Sequence, residues 1–212
     1  MKKILVSLLA CAMVLSFAAC SKKDDANTSS SSSDVSSSDV TSSSSEVSSD
    51  APIAPEADPK EKEFYDAEAK KVEDAIKAGL TSGTPAEKVE GMDDKLQASY
   101  EEVKKALGEN YIPSAPIDAL QLKEVYGIDS ASVANVIAEG PMISTHVDTF
   151  IAVKAVEGKG EEIEKALNTY RDALLADTMQ YPMNLPKIAS SKVIRDGDYV
   201  YFAMVSGFYE AE

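Results

Sequence analysis

The run Tyr199-Val-Tyr-Phe-Ala-Met-Val205 is the most apolar stretch beyond the first 20 residues. An unbroken apolar run of this length, without alternation, implies a strand covered on both faces and therefore inside a sheet. Asp196-Gly197 ahead of it suits a type I′ turn, which pairs residues 198–205 with a strand over 188–195. In that register Arg195 faces Asp198, Ile194 faces Tyr199 and Val193 faces Val200. Upstream, residues 143–156 read as another strand, with Phe150-Ile-Ala-Val153 apolar on both faces. Gly158-Lys-Gly160 breaks it, and residues 161–178 carry Ile163, Leu167, Tyr170 and Leu174 at helical spacing. Acids in the first turn of that helix favour its dipole, and Tyr181-Pro182 closes it. The most apolar strand belongs in the middle. The expected sheet therefore has three antiparallel strands in the order 1-3-2, with the long helix crossing right-handed over one face.

Further toward the N-terminus, Asp58-Pro59-Lys-Glu61 supplies an N-cap, a Pro at the first helical position and an acid at the third. Tyr65, Ala69, Val72 and Ile76 follow at helical spacing, and Gly79 reads as the stop. Thr84-Pro85-Ala-Glu87 is a second capping box, opening a helix marked by Val89, Met92, Leu96, Tyr100, Val103 and Leu107 and ended by Gly108. Residues 59–109 thus form a helical hairpin whose Met and Tyr stripe reads as core. Residues 110–117, with two prolines, read as a linker. Residues 118–126 read as a short helix stopped by Gly127. Asp129 caps a further helix with Val133, Val136 and Ile137 on its buried side, ended by Gly140-Pro141. The fold class is α+β: the hairpin, then an α+β domain over 110–212 made of small helices, the three-stranded sheet and one long helix.

The N-terminus reads Met-Lys2-Lys3 followed by an apolar segment over 4–19, an export signal too short for a comfortable membrane span. Leu15-Ser-Phe-Ala-Ala-Cys20 resembles the bacterial lipoprotein cleavage box, with Phe17 where Leu is usual. The resemblance implies removal of residues 1–19, lipidation of Cys20 (palmitate among its acyl chains), and anchoring to the outer face of the cytoplasmic membrane. Cys11, with only about seven apolar residues before it, is the poorer choice and leaves with the signal. The mature chain then has no free thiol for a disulfide, a nucleophile or a thiolate metal site. Residues 20–58 are Ser-rich and acidic, with Val35, Val40, Val47 and Ile53 nearly alone as apolar residues. Such a segment cannot bury enough surface to offset its chain entropy, so it reads as a disordered tether. As a coil it spans about 35 Å.

The formal charge of -15 falls as +2 on the first 20 residues, -6 on 21–59 and -11 on the rest. An acidic body without a basic stripe excludes nucleic acid as a partner and electrostatic docking on anionic lipid.

Ser144, His146 and Asp148 alternate along one expected strand. Neighbours on one strand face stand about 6.5–7 Å apart, too far for a hydrolase relay, and no Gly-x-Ser-x-Gly elbow is present. They read as a polar strand edge. His146 is the single histidine, which leaves no His-rich metal site. Asp93-Asp94 reads as helix surface and Asp196-Gly-Asp198 as a turn, each short of the six to eight oxygens calcium takes. No catalytic residue, metal or cofactor is expected.

Met179-Gln-Tyr181-Pro-Met183-Asn-Leu185-Pro186 places apolar residues in a connection where polar ones are the rule. The favoured reading is that Tyr181 and Met183 plug the end of the core. The alternative is a working surface of His146, Tyr181, Pro182, Met183 and Asn184.

Asp148-Thr-Phe-Ile-Ala-Val-Lys154, Glu157-Gly-Lys, Leu167-Asn-Thr-Tyr-Arg171, Asp177-Thr-Met-Gln-Tyr-Pro-Met-Asn184, Lys187-Ile and Gly197-Asp-Tyr-Val200 occur in this order. Together they resemble the domain-of-unknown-function 4358 family of small bacterial lipoproteins, over roughly residues 111–207. The resemblance implies an envelope lipoprotein with no assigned activity and no catalytic residues to carry over. The expected function is a non-enzymatic binding module for an envelope protein or wall component. An envelope hydrolase using paired carboxylates and a small-ligand-binding lipoprotein are the alternatives.

Overall fold

The computed structural model describes residues 58–210. The expected signal segment, Cys20 and the tether before Asp58 lie outside the described residues.

Helix α1 spans Pro59–Ser82, with the Asp58 carboxylate accepting from the Lys60 amide and Pro59 at the first position. Gly79 does not stop it; the helix runs on to a left-handed cap at Gly83, whose amide donates to the Gly79 carbonyl. Gly79 serves a crossing instead. A Cβ there would lie 2.3 Å from the Ser99 Cα, so only glycine lets the two helix backbones touch. The Ser99 hydroxyl donates to the Ile76 carbonyl at 3.2 Å across the same contact.

Helix α2 covers Asp94–Leu107 and starts nine residues later than the Thr84-Pro85 box suggested. Gly91 stands at φ +81°, which interrupts a helix, and Asp93 caps α2 by accepting from the amides of Lys95 and Leu96. The Glu101 carboxylate holds the intervening chain by accepting from the amides of Ala86 and Glu87. Val89 is consequently exposed rather than core.

The sheet has five antiparallel strands, not three. They are β1 (Ala115–Pro116), β2 (Val133–Gly140), β3 (Thr149–Ala155), β4 (Lys192–Asp196) and β5 (Tyr199–Met204), in the order β1-β2-β3-β5-β4. The expected linker contributes β1, and the helix expected after Asp129 is strand β2 behind a single 3-10 turn. The helical spacing of Val133, Val136 and Ile137 has a second solution. A register shift between Val133 and Asn135 turns Val133 and Val136 to one face while Ile137 takes the other. Pairing with β3, Val136 opposite Val153 and Ile137 opposite Ala152, decides for strand.

The remaining helices are α3 (Ala119–Glu124, with an Asp118/Gln121 capping box), α4 (Gly160–Ala176) and α5 (Leu185–Ser190). Strand β3 begins only at Thr149, after a loop, and Ile188 belongs to α5 rather than to β4. The hairpin register is offset by two from expectation: Ile194 pairs with Tyr201 and Arg195 with Val200. The turn pair is Gly197-Asp198. Gly197 takes φ +61°, and the Asp198 carboxylate accepts from the amides of Gly158 and Gly160, which draws Asp198 out of the strand. A slip of two keeps every side chain on its face, so the packing expectation survives. The middle strand is β3, and β5 lies beside it.

Strands β3 and β5 sort their side chains by parity. Phe150, Ala152, Tyr201 and Ala203 pack against α1 and α2, while Ile151, Val153, Val200, Phe202 and Met204 pack against α3, α4 and α5. The helical hairpin is thus one of the two lids of the sheet, bolted on by the Tyr201 hydroxyl, 3.1 Å from the Ser99 hydroxyl.

Candidate functional site at the loop end of the sheet

Thr149, the first residue of β3, pairs with Met204, the last of β5. The loop before β3 and the segment after β5 therefore emerge at the same end of the sheet. Helix α5 brings Lys187 to that end. Its ammonium donates to the Asp148 carboxylate at 2.7 Å, and both side chains are buried, with residue exposures of 3% and 1%. The same ammonium lies 3.4 Å from the Ser206 carbonyl and 4.8 Å from the centre of the Phe208 ring. One cation thus ties together three segments that are distant in sequence.

His146 lies at the mouth. Its Nδ1 is 4.0 Å from the second Asp148 oxygen, and its ring meets Phe208 edge-on at 5.4 Å between centroids. Asn184, buried at the head of α5, donates from its side-chain amide to the Thr145 carbonyl at 3.1 Å. That bond brings the Tyr181–Asn184 loop and the His146 loop together as one surface. The plug reading is overturned: Met179, Tyr181 and Met183 are exposed at 87%, 54% and 63%. Ile188, Leu167 and Phe202 already fill the core beneath, so nothing remains for the loop to plug. Met142, Ile143 and Phe208 are exposed at the same end.

Asp148 is no polar strand edge. It is committed to Lys187, and among the described residues no hydrogen bond joins Ser144 to His146. Lys187 was missed in the sequence, although a lone lysine between Pro186 and Ile188, in an apolar connection, is a recognisable signal for a buried cation. Phe208, Met142 and Ile143 carried no signal of their own, because only the return of β5 beside β3 places them here.

Two further polar clusters bind the helical hairpin to the sheet. Asp93, expected as helix surface, accepts from Lys154 at 2.6 Å and from the Tyr199 hydroxyl at 3.3 Å. Burial pushes its carboxyl up, but Lys154 and the capped amides outweigh that and hold it below the ordinary value. Glu139 accepts from the Tyr111 hydroxyl at 2.8 Å and from Tyr100 at 3.1 Å. Burial, reinforced by that carboxylate, drives the Tyr111 phenol far above its ordinary value. Among the described residues no group of three or more His, Cys, Asp and Glu could hold a metal ion. No described helix is long and apolar enough to cross a membrane.

Residues 108–205 match the family described as Domain of unknown function (DUF4358), so this stretch is a domain of that kind. The match begins after α2, which leaves one lid of the sheet outside it. The chain matches no curated protein and no solved structure.

Proposed function

We propose that this chain, whose residues 108–205 form the domain of unknown function, is a lipid-anchored cell-envelope protein and a non-enzymatic binding module. It docks through the loops at the end of the sheet that carries His146 and Tyr181–Asn184. The observation that carries this reading is the buried Asp148–Lys187 pair beneath a cluster of exposed Met, Tyr and Phe side chains. Buried ion pairs add little net stability, because desolvation offsets their attraction. What this pair does is hold loops from three parts of the chain in one arrangement. Preorganised loops bind with less loss of conformational entropy than free ones. The export signal, Cys20 and the Ser-rich tether, read from the sequence, support a domain held off the outer face of the membrane.

The test uses unlipidated mature chain (C20S) added to envelopes stripped of the native protein. Saturable binding is expected, lost in M142D/M183D and kept in E157K, which alters the opposite end. Absence of saturable binding, or equal loss in E157K, would refute the docking surface. Incorporation of a labelled fatty acid that disappears in C20S tests the anchor.

A further inference from the structure

We infer that the envelope component engaged by the loop end is the bilayer interface itself, into which Met142, Tyr181, Met183 and Phe208 dip beside the protein's own anchor. This rests on the docking reading above and names its occupant.

The first argument is where the chain leaves the structure. Helix α1 begins at Pro59, and Phe64, little more than one turn on, meets Tyr209 in a tilted ring contact with centroids 5.8 Å apart. The Tyr65 hydroxyl meets the backbone of Tyr209 and feels the charge of Asp148. The other end of α1 is elsewhere: Lys77, Leu80 and Thr81 line a cleft with Ile194 and Asp196, beside the β4–β5 turn. The helix therefore runs from the loop end of the sheet to the turn end, and the chain toward Cys20 departs beside Phe208. With the Ser-rich stretch over 20–58 read as a tether to a lipidated Cys20, the loop end is where that tether joins the domain, which favours this end for contact with the surface that holds the lipid.

Charge is the second argument. Residues 141–147, 178–186 and 205–209, 21 in all, contain no Asp, Glu, Lys or Arg. At the 27% charged content of the whole chain they would carry about five or six. The acidic body is repelled by an anionic leaflet, so these three uncharged segments are the part of it that can approach.

Shape is the third. Met142, Met179 and Met183 stand 78%, 87% and 63% exposed on two loops, none of them packed into the core. A protein partner requires a complementary surface of several hundred Å². A bilayer interface demands no such fit, and accepts flexible thioethers and the amphipathic ring of Tyr181.

The experiment uses the mature lipidated chain in phosphatidylcholine vesicles, with a nitroxide on M142C, M183C or E157C. The lipidated Cys20 leaves the introduced thiol as the sole reactive one. Collisions with oxygen and with a water-soluble nickel chelate report depth. The oxygen-to-nickel ratio at 142 and 183 is expected to exceed that at 157 several-fold, with near-UV circular dichroism unchanged in all three. Equal ratios at the three positions would overturn the bilayer inference. The docking reading is judged separately by the envelope assay: saturable binding there, abolished by protease treatment of the envelopes, would identify a protein as the occupant instead.

Discussion

Lys187→Met removes the cation at the centre of the loop end while keeping most of the side chain's volume. Asp148 would then remain buried without its cation, with His146 Nδ1 4.0 Å from its carboxylate. Removing one partner of a buried pair costs about 3–5 kcal/mol, because the other charge is left uncompensated. For a domain of this size each kcal/mol lowers Tm by roughly 2–4 °C, so the variant should melt about 6–20 °C below the parent. Asp148→Leu together with Lys187→Met removes both charges and should recover most of that loss, since a buried pair is about as stable as a well-packed apolar replacement. Urea unfolding followed by circular dichroism measures both variants, with an unchanged slope confirming that the same structure is lost. A loss below about 1 kcal/mol in K187M, or a double variant no better than the single, would refute the account of a desolvated pair.

Further outcomes follow from the packing. Gly79→Ala sets a methyl group 2.3 Å from the Ser99 Cα; calorimetry should show a loss of about 1–3 kcal/mol or more as the helices part. A chain beginning at Gly108 would bare Phe150 and Tyr201, both fully buried under the helical hairpin; it should bind a hydrophobic dye and aggregate, whereas the chain from Asp58 should not. Asp93→Asn keeps a competent N-cap but loses the negative charge that faces Lys154. The folded Asp93 carboxyl lies below its ordinary value, so its contribution is present above the unfolded pKa, near 4, and fades as pH falls through the lower folded value. Thermal melts should therefore show parent and D93N separated at neutral pH and converging below about pH 4. Met183→Ser, at an exposed tip, should move stability by no more than about 0.5 kcal/mol in the same melts.

The α+β class was legible wherever one segment's pattern admitted a single solution. Asp58-Pro59 started α1, Gly108 ended α2, Ile163 and Leu167 placed α4 inward, and unbroken apolar runs marked β3 and β5 as interior. Misreadings arose where a pattern had two solutions and the partner strand or helix chose. Val133, Val136 and Ile137 fit a helix as well as a bulged strand until β3 is alongside. Gly79 looks like a stop until a second helix needs its missing side chain. The candidate site was half legible: His146 and Tyr181–Asn184 stood out by composition, whereas Lys187 and Phe208 joined them only through the fold.

What the sequence determined alone is what depends on local composition and periodicity: the acidic balance, the apolar run over 4–19 and the Ser-rich acidic stretch after it, and the helices and strands with unambiguous faces. What tertiary structure decided is what depends on partners far along the chain: five strands rather than three, the turn drawn to Gly197-Asp198 by the amides of Gly158 and Gly160, and the burial of Asp148 against Lys187. A carboxylate and an ammonium 39 positions apart look like ordinary surface charges until water is removed from around both. Only the closing of the sheet against α5 removes it.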